Sequence, residues 1–309
     1  MINLRGRDII SSLDFDRETL EHLFNEADKI REELRSRSIL DYCHGKIMIT
    51  VFLEPSTRTR LSFQFAMIKL GGIVVDFGLE QAASIAKGES FEDTIRMVDG
   101  YDPDIIVVRH KEPGSALRAA EIAVRPVINA GDGWNEHPTQ ALLDLYTIKR
   151  ELGRIDNITI GIMGDLKYGR TPSSLSYALS KFENVKIIYI APRELQIRRE
   201  VLEKIDGLVE WKMVERVEEV IERLDVLYVT RLQKERFTDL SEYERLRGSY
   251  QISLSLLSKF KKIPIIMHPL PRVDELSTDV DSLPQAKYFT QAENGVYIRA
   301  ALIKEVLGA

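Results

Sequence analysis

The stretch Ile47-Met48-Ile49-Thr50-Val51-Phe52, followed by Leu53-Glu54-Pro55 and then Ser56-Thr57-Arg58-Thr59-Arg60, decides how this chain folds. Its first six residues read as a buried strand, an apolar run of strand length rich in β-branched side chains. Leu61, Phe65 and Ile68 then fall at helical spacing toward Leu70 and the Gly71-Gly72 stop, so a helix opens here with Ser56 as its N-cap. The first N–H groups of a helix lack intrahelical partners and the macrodipole presents partial positive charge, so an anion fits at this end. Ser56, Thr57 and Thr59 add hydroxyl donors, and the planar fork of Arg58 can take two phosphate oxygens where a lysine could not. The competing reading is an ordinary capped helix whose arginines are solvated or paired with Glu54. Two arginines interleaved with three hydroxyls favour the anion site.

The chain has 309 residues, 44% of them hydrophobic and 29% charged, enough to bury a sizeable core and to form two domains. Its formal charge of −5 argues against a general nucleic-acid surface, so an anionic ligand must be held by locally focused positive groups. A single cysteine, Cys43, excludes an intrachain disulfide and a cysteine-rich zinc site, and no metal site is read elsewhere. No basic start followed by an apolar stretch opens the sequence, and no apolar run reaches the ~18 residues of a membrane span. A cytoplasmic location is the resulting expectation.

Strand-like and helix-like segments alternate, which predicts an α/β fold of two domains, each a mostly parallel sheet flanked by helices, with the active site in the cleft between them. After an amphipathic helix from about Arg17 to Arg35, strands are expected near 47–52, 73–77, 104–108 and 126–129. A helix opened by His137-Pro138 runs to about Leu152, where Gly153 ends it. Strands near 158–163, 185–190, 225–229 and 263–267 make the second domain. The domains are expected over 1–137 and 138–291, with 138–152 as the crossing helix. A last helix, from about Gly295 to Leu307 within 292–309, returns to pack on the first domain.

Ligands of open α/β sheets bind beyond the carboxyl ends of the strands, and those positions are strongly polar here. They carry the Ser56 cluster, Arg109-His110, Gly131-Asp132-Gly133, then Asp165, Lys167 and Arg170, then Thr230-Arg231-Leu232-Gln233, and finally His268-Pro269-Leu270-Pro271-Arg272. His137 and Gln140 flank a proline suited to the first helical position and share one face, although a histidine at a helix start also serves as a plain cap. Thr171-Pro172 reads as another cap followed by an N1 proline, placing Arg170 at a helix start. Arg170 and Arg231 suit a ligand bearing carboxylates, against the alternative that Arg231 pairs with Glu235. The glycine-bounded segment 78–88, with Ser84 and Lys87, reads as a mobile loop whose lysine is either solvated or closes over an anion.

Taken together, Ser56-Thr57-Arg58-Thr59-Arg60, Val108-Arg109-His110, His137-Pro138-Thr139-Gln140, Gly164-Asp165-Leu166-Lys167-Tyr168-Gly169-Arg170, Arg231-Leu232-Gln233-Lys234-Glu235-Arg236 and His268-Pro269-Leu270-Pro271-Arg272 resemble the aspartate/ornithine carbamoyltransferase family over nearly the whole chain. Pro269 follows His268, where the ornithine-using branch has a cysteine, so the resemblance is to the aspartate-using branch. It implies that Ser56, Thr57, Arg58 and Thr59 hold the phosphate of carbamoyl phosphate, with Arg109 bridging phosphate and carbonyl. His137 and Thr59 would join Arg109 at the carbonyl oxygen, and Gln140 and the Leu270 carbonyl would orient the carbamoyl NH₂. Arg170, Arg231 and Gln233 would hold the carboxylates of L-aspartate, with Lys87 and Leu270 also facing it. Ser84 and Lys87 would come from a neighbouring subunit of a homotrimer, and Lys87 would act in catalysis with Arg58, Thr59, Arg109 and His137. No cofactor is implied, and the resemblance admits regulatory chains as further partners.

The sequence departs from the family pattern in a short, weakly basic lid, Ser84-Ile85-Ala86-Lys87-Gly88, and in Trp134, where a small residue is expected. Two other readings remain open at this level: a carbamoyltransferase for another amine such as ornithine, and a nucleotide-binding oxidoreductase-like protein. The latter rests on Gly161-Ile162-Met163-Gly164, which lacks the full G-x-G-x-x-G spacing. A phosphate-binding sensor on the same fold is a further alternative, disfavoured by Arg109, His137 and Arg231.

Overall fold

The apolar run that opens the decisive stretch forms β1 (Ile47–Phe52), buried from Met48 onward. It is followed, as read, by α2 (Thr57–Lys69) with Ser56 as N-cap, while α1 (Arg17–Glu33) precedes it. The computed structural model describes residues 3–78, 88–232, 241 and 250–309. The chain forms two units, Met1–Leu143 with Glu293–Ala309, and Asp144–Ala292.

In the first unit β1 pairs with β2 (Ile73–Gly78) and with β3 (Ile105–His110), which pairs with β4 (Val127–Asp132), all in parallel. Parallel neighbours require long crossovers, and α2, α3 (Phe91–Asp99) and α4 (Ser115–Ile122) lie between successive strands. Ile49, Val51, Ile106, Val108 and Val127 of the sheet pack with Ile95, Val98 and Ala119 of α3 and α4 in one core. The helix α5 (Pro138–Leu152) carries the chain into the second unit. There β5 (Thr159–Met163), β6 (Lys186–Ile190), β7 (Glu210–Val214), β8 (Val226–Val229) and β9 (Ile265–Met267) form a second parallel sheet with α6 (Arg170–Leu179), α7 (Arg199–Ile205) and α8 (Leu254–Leu257). Its core includes Met163, Ile190, Leu227, Val229, Ile266, Leu276 and Tyr288. The chain returns to the first unit within α9 (Tyr288–Leu307).

Strand order locates the functional ends. The first sheet runs β2-β1-β3-β4 and the second β7-β6-β5-β8-β9 among the described residues. In each, the chain builds outward on one side, then returns to build on the other. The direction reverses between β1 and β3 in the first unit, and between β5 and β8 in the second. Helices that leave such a pair go to opposite faces, which opens a crevice at the carboxyl ends of the two strands.

Four expectations are corrected. β3 and β4 run past the apolar residues to His110 and Asp132, so Arg109, His110 and Gly131-Asp132 belong to strands rather than to the loops after them. The backbone ladder continues there, with the Leu53 N–H donating to the Arg109 carbonyl at 2.9 Å. β7 escapes sequence reading because Glu210 to Met213 are exposed, as an edge strand allows. α6 starts at Arg170 with Gly169 as cap, and Pro172 sits inside the first turn, where its missing N–H costs nothing. α9 begins seven residues before Gly295, whose bare Cα accommodates Arg299 and Leu143: a Cβ there would lie 2.7 Å from the Arg299 guanidinium.

At the opposite end of the first sheet, Asp104 ties the start of β1 to that of β3. Its carboxylate accepts the Ile47 N–H at 2.8 Å and the Lys46 ammonium at 2.9 Å. Burial pushes this carboxyl up, but the Ile47 amide and Lys46 outweigh it and hold it below its ordinary 3.8. A carboxyl lowered on folding stabilises the protein above its unfolded value and loses that contribution as pH falls through the folded one. The stability difference between the wild-type chain and Asp104→Asn, measured by urea unfolding, is therefore expected to be full at neutral pH and to shrink as pH falls through the lowered folded value of this carboxyl. A difference that persists at low pH would contradict this role. Among the described residues no helix is long and apolar enough to cross a membrane.

Candidate functional site

At the β1/β3 crevice, α2 begins without the usual safeguards of a helix start. The Ser56 side chain makes no capping hydrogen bond, and the first turn carries no acidic residue. α1, by contrast, is capped by the Asp16 side chain with Glu18 behind it, and α3 by Ser90 with Glu92 and Asp93. The α5 and α6 starts likewise lack acids. The three helices whose first turns carry Thr57 to Thr59, Gln140 and Arg170 thus bring no acidic side chain of their own to their positive ends, which suits anionic ligands.

Thr57 and Arg58 are exposed and Ser56 half-buried, so none of the three is committed to the core. Arg60 is turned toward Asp76, 3.6 Å away. Thr59 is buried, and its hydroxyl lies 3.3 Å from Nε2 of His137, which is 4% exposed. The Thr139 hydroxyl stands 3.5 Å from the other ring nitrogen. His137 also supplies the carbonyl that accepts the Gln140 N–H at 2.9 Å, so imidazole and amide issue from one turn at the start of α5. Arg109, at the end of β3, donates through Nη1 to the Ala130 carbonyl at 2.9 Å and pairs through Nη2 with Glu54 at 3.1 Å. The strand end, the helix start and the α5 start thus bring Thr59, Arg109 and His137 into one unit around one crevice.

Two supports of this arrangement were not legible as such in the sequence. The buried Asp132 carboxylate accepts from the Gly114 and Glu136 N–H groups and from the Asn129 and Asn135 side chains, which fixes the loop leading to His137. Buried Arg299 of α9 donates to the Ser62 and Thr139 hydroxyls, propping α2 and α5 one turn behind Thr59 and beside His137. Nothing in local sequence marks an arginine 160 residues from Thr139 as its partner.

At the β5/β8 crevice, Gly164 has φ 117°, and a Cβ on it would lie 2.1 Å from the Thr230 carbonyl oxygen. Only glycine permits this close approach, which is clamped by the Thr230 N–H and hydroxyl on the Met163 carbonyl at 2.7 and 3.1 Å. Beyond the clamp, the Asp165 carboxylate accepts the Tyr168 N–H at 2.8 Å and shapes the turn into α6. Buried Arg170 is the first residue of α6, and half-buried Arg231 follows β8, so the two residues follow the two strands of the same switch point. Leu270 follows β9 in the same unit. Ser84, Lys87 and Gln233 lie outside the described residues. Trp134 is exposed in the loop before His137. Among the described residues no group of three or more His, Cys, Asp or Glu side chains could hold a metal ion.

Comparison with known proteins also finds two domains, with the second taken through most of the last helix. Residues 7–150 match the aspartate/ornithine carbamoyltransferase carbamoyl-P binding domain, and residues 156–306 match the Asp/Orn binding domain of the same family. An aspartate carbamoyltransferase catalytic subunit of Thermofilum pendens is 52% identical over 303 residues, covering 98% of this chain and 95% of that one. The catalytic subunit of M. jannaschii aspartate transcarbamoylase superposes with a TM-score of 0.89 at 50% identity, over 98% of both chains. The Trypanosoma cruzi aspartate transcarbamoylase in complex with carbamoyl phosphate and aspartate superposes with a TM-score of 0.94 at 41% identity, again over 98% of both.

Proposed function

The chain belongs to the aspartate/ornithine carbamoyltransferase family, and from that premise we infer that it transfers the carbamoyl group of carbamoyl phosphate to the amine of L-aspartate, giving N-carbamoyl-L-aspartate and phosphate for pyrimidine biosynthesis. The observation that carries this reading is the pairing of each unit with one substrate's chemistry. The first unit presents a helix start with no acid in its first turn, three hydroxyls, Arg58 and Arg109, and the second presents Arg170 and Arg231 at one switch point.

In this reading the α2 start, with Ser56, Thr57, Arg58 and Thr59, holds the phosphate. Arg109 spans phosphate and carbonyl, and Thr59, Arg109 and His137 donate to the carbonyl oxygen as charge develops on it. Each well-aimed donor at such an oxyanion supplies about 3 kcal/mol. Gln140 and the Leu270 carbonyl orient the carbamoyl NH₂, and Arg170, Arg231 and Gln233 take the aspartate carboxylates. The neutral amine attacks the carbonyl carbon, the C–N bond forms, and the C–O bond to phosphate breaks. The departing phosphate accepts the amine proton, so no side-chain base and no covalent intermediate are needed.

Assay of the purified chain with carbamoyl phosphate and a series of amines is expected to show turnover with L-aspartate and none with ornithine. Turnover with ornithine alone would sink the acceptor assignment. Release of no phosphate, together with nicotinamide binding, would favour the oxidoreductase-like alternative.

The working unit is proposed to be a homotrimer with sites completed by Ser84 and Lys87 of a neighbouring copy. Leu61, Phe65 and Ile68, whose helical spacing marks one face of α2, form a stripe left uncovered in the single chain, with Phe65 53% exposed. Phe63, Ala66 and Met67 take the core instead. Ile73 and Val75 of edge strand β2 are uncovered too, and β2 leads directly into 79–87. Uncovered apolar area flanking that segment supports contact between copies there. Mixing inactive Lys87→Ala chains with inactive Arg58→Ala chains is expected to restore part of the activity, because some shared sites then contain one intact set. No recovery after verified subunit exchange would count against a shared site.

A further inference from the structure

His268, the first residue after β9, is buried and bound on three sides. Its own N–H donates to Gln291 Oε1 at 2.8 Å, and the Gln291 amide nitrogen donates onward to Asp144 Oδ1 at 2.6 Å. The Leu270 N–H donates to the ring Nδ1 at 2.7 Å. Nδ1 is therefore the unprotonated nitrogen, so Nε2 carries the hydrogen and donates it to Glu275 Oε1 at 2.7 Å. Glu275 is itself buried, and its carboxylate also faces the Val273 N–H, at 3.1 Å from Oε1. Burial pushes this carboxyl up, but His268 and the backbone amides outweigh it and hold it below its ordinary value, so the acceptor stays charged.

We propose that His268 and Glu275 are positioning residues that aim the Leu270 carbonyl at the carbamoyl NH₂, a role that rests on the functional reading above. Leu270 has φ 55°, a left-handed conformation that a side chain disfavours and that must be imposed from outside. The His268 ring imposes it by fixing the Leu270 N–H. Glu275 holds the ring in the one tautomer that can accept that N–H. The pair touches no substrate in this arrangement and acts only through the Leu270 peptide.

The test uses the full chain and three variants: His268→Ala, His268→Asn and Glu275→Gln. His268→Ala is expected to lower kcat about a hundredfold, the scale of a misaimed group near the reacting centre, while the affinity for inorganic phosphate, which has no NH₂ to orient, stays within about twofold by calorimetry. His268→Asn should recover about tenfold of that loss, because an asparagine oxygen can accept the N–H two residues on. Glu275→Gln keeps an acceptor oxygen but not the charge, and should fall between them. A kcat within about threefold of wild type in folded His268→Ala would overturn the proposal, as would phosphate affinity falling in step with kcat, the mark of general damage. If His268→Ala does not fold, the other two variants decide on the same criteria. A wild-type chain that fails to carbamoylate aspartate would instead overturn the reading on which the role rests, and shows itself before any variant is compared.

Discussion

Arg58→Ala is expected to lower kcat about 10³-fold with little loss of thermal stability. Arg58 is exposed at the second position of α2, so its removal opens no cavity. Alanine is at least as good a helix former as arginine. A cation at a helix N-terminus opposes the macrodipole, so its loss relieves a small repulsion, and the thermal midpoint should hold or rise slightly. A cation exposed beside a helix N-terminus is well placed to meet the negative charge of a phosphate bound there. In the transition state the phosphate gathers charge as its bond to the carbonyl carbon breaks, and the bidentate guanidinium meets that charge. Steady-state kinetics with carbamoyl phosphate and aspartate, run beside thermal unfolding of the same preparation, gives both readouts. Near-normal turnover in a folded Arg58→Ala chain would remove the phosphate role from the α2 start.

Much of this site was legible because its residues are local to strand ends. Ser56 to Thr59, His137 to Gln140, and Arg231 each follow an apolar run that marks a strand or precede one that marks a helix, and periodicity finds such runs. The two parallel sheets followed from the same alternation, and the structure has them. What could not be read was whatever depended on partners distant in sequence. Strand order, and with it the switch points that make Arg109 and the Ser56 cluster neighbours, is set by pairing and not by pattern. The Glu54–Arg109 pair, the Asp132 brace and the Arg299 prop are all contacts between separate elements. β7 failed for the opposite reason: with most of its side chains in solvent, it has no apolar run to betray it. Gly295 misled because a glycine in a helix usually marks an end, whereas here it makes room for Arg299 inside one.

Arg109→Ala should cost both activity and stability, and comparison with Arg109→Lys should separate the two. The guanidinium is largely buried and does two structural jobs at once, donating to the Ala130 carbonyl at 2.9 Å and pairing with Glu54 at 3.1 Å. Truncation leaves both acceptors short of a donor at the end of β3, a loss of about 1–3 kcal/mol in unfolding free energy, discounted toward the lower end because Glu54 retains some solvent. It also removes the donor proposed to span phosphate and carbonyl, so kcat should fall about 10³-fold. Lysine restores the charge and can satisfy one acceptor, so most of the stability should return. Its ammonium is a compact point charge and cannot present parallel donors to a carbonyl, a carboxylate and a substrate in one plane. Turnover of Arg109→Lys should therefore stay at least about 10²-fold below wild type while its unfolding midpoint approaches it. Activity that recovers along with stability would mean that positive charge alone suffices at this position, and that the fork is there for Glu54 and Ala130 rather than for the reacting carbonyl.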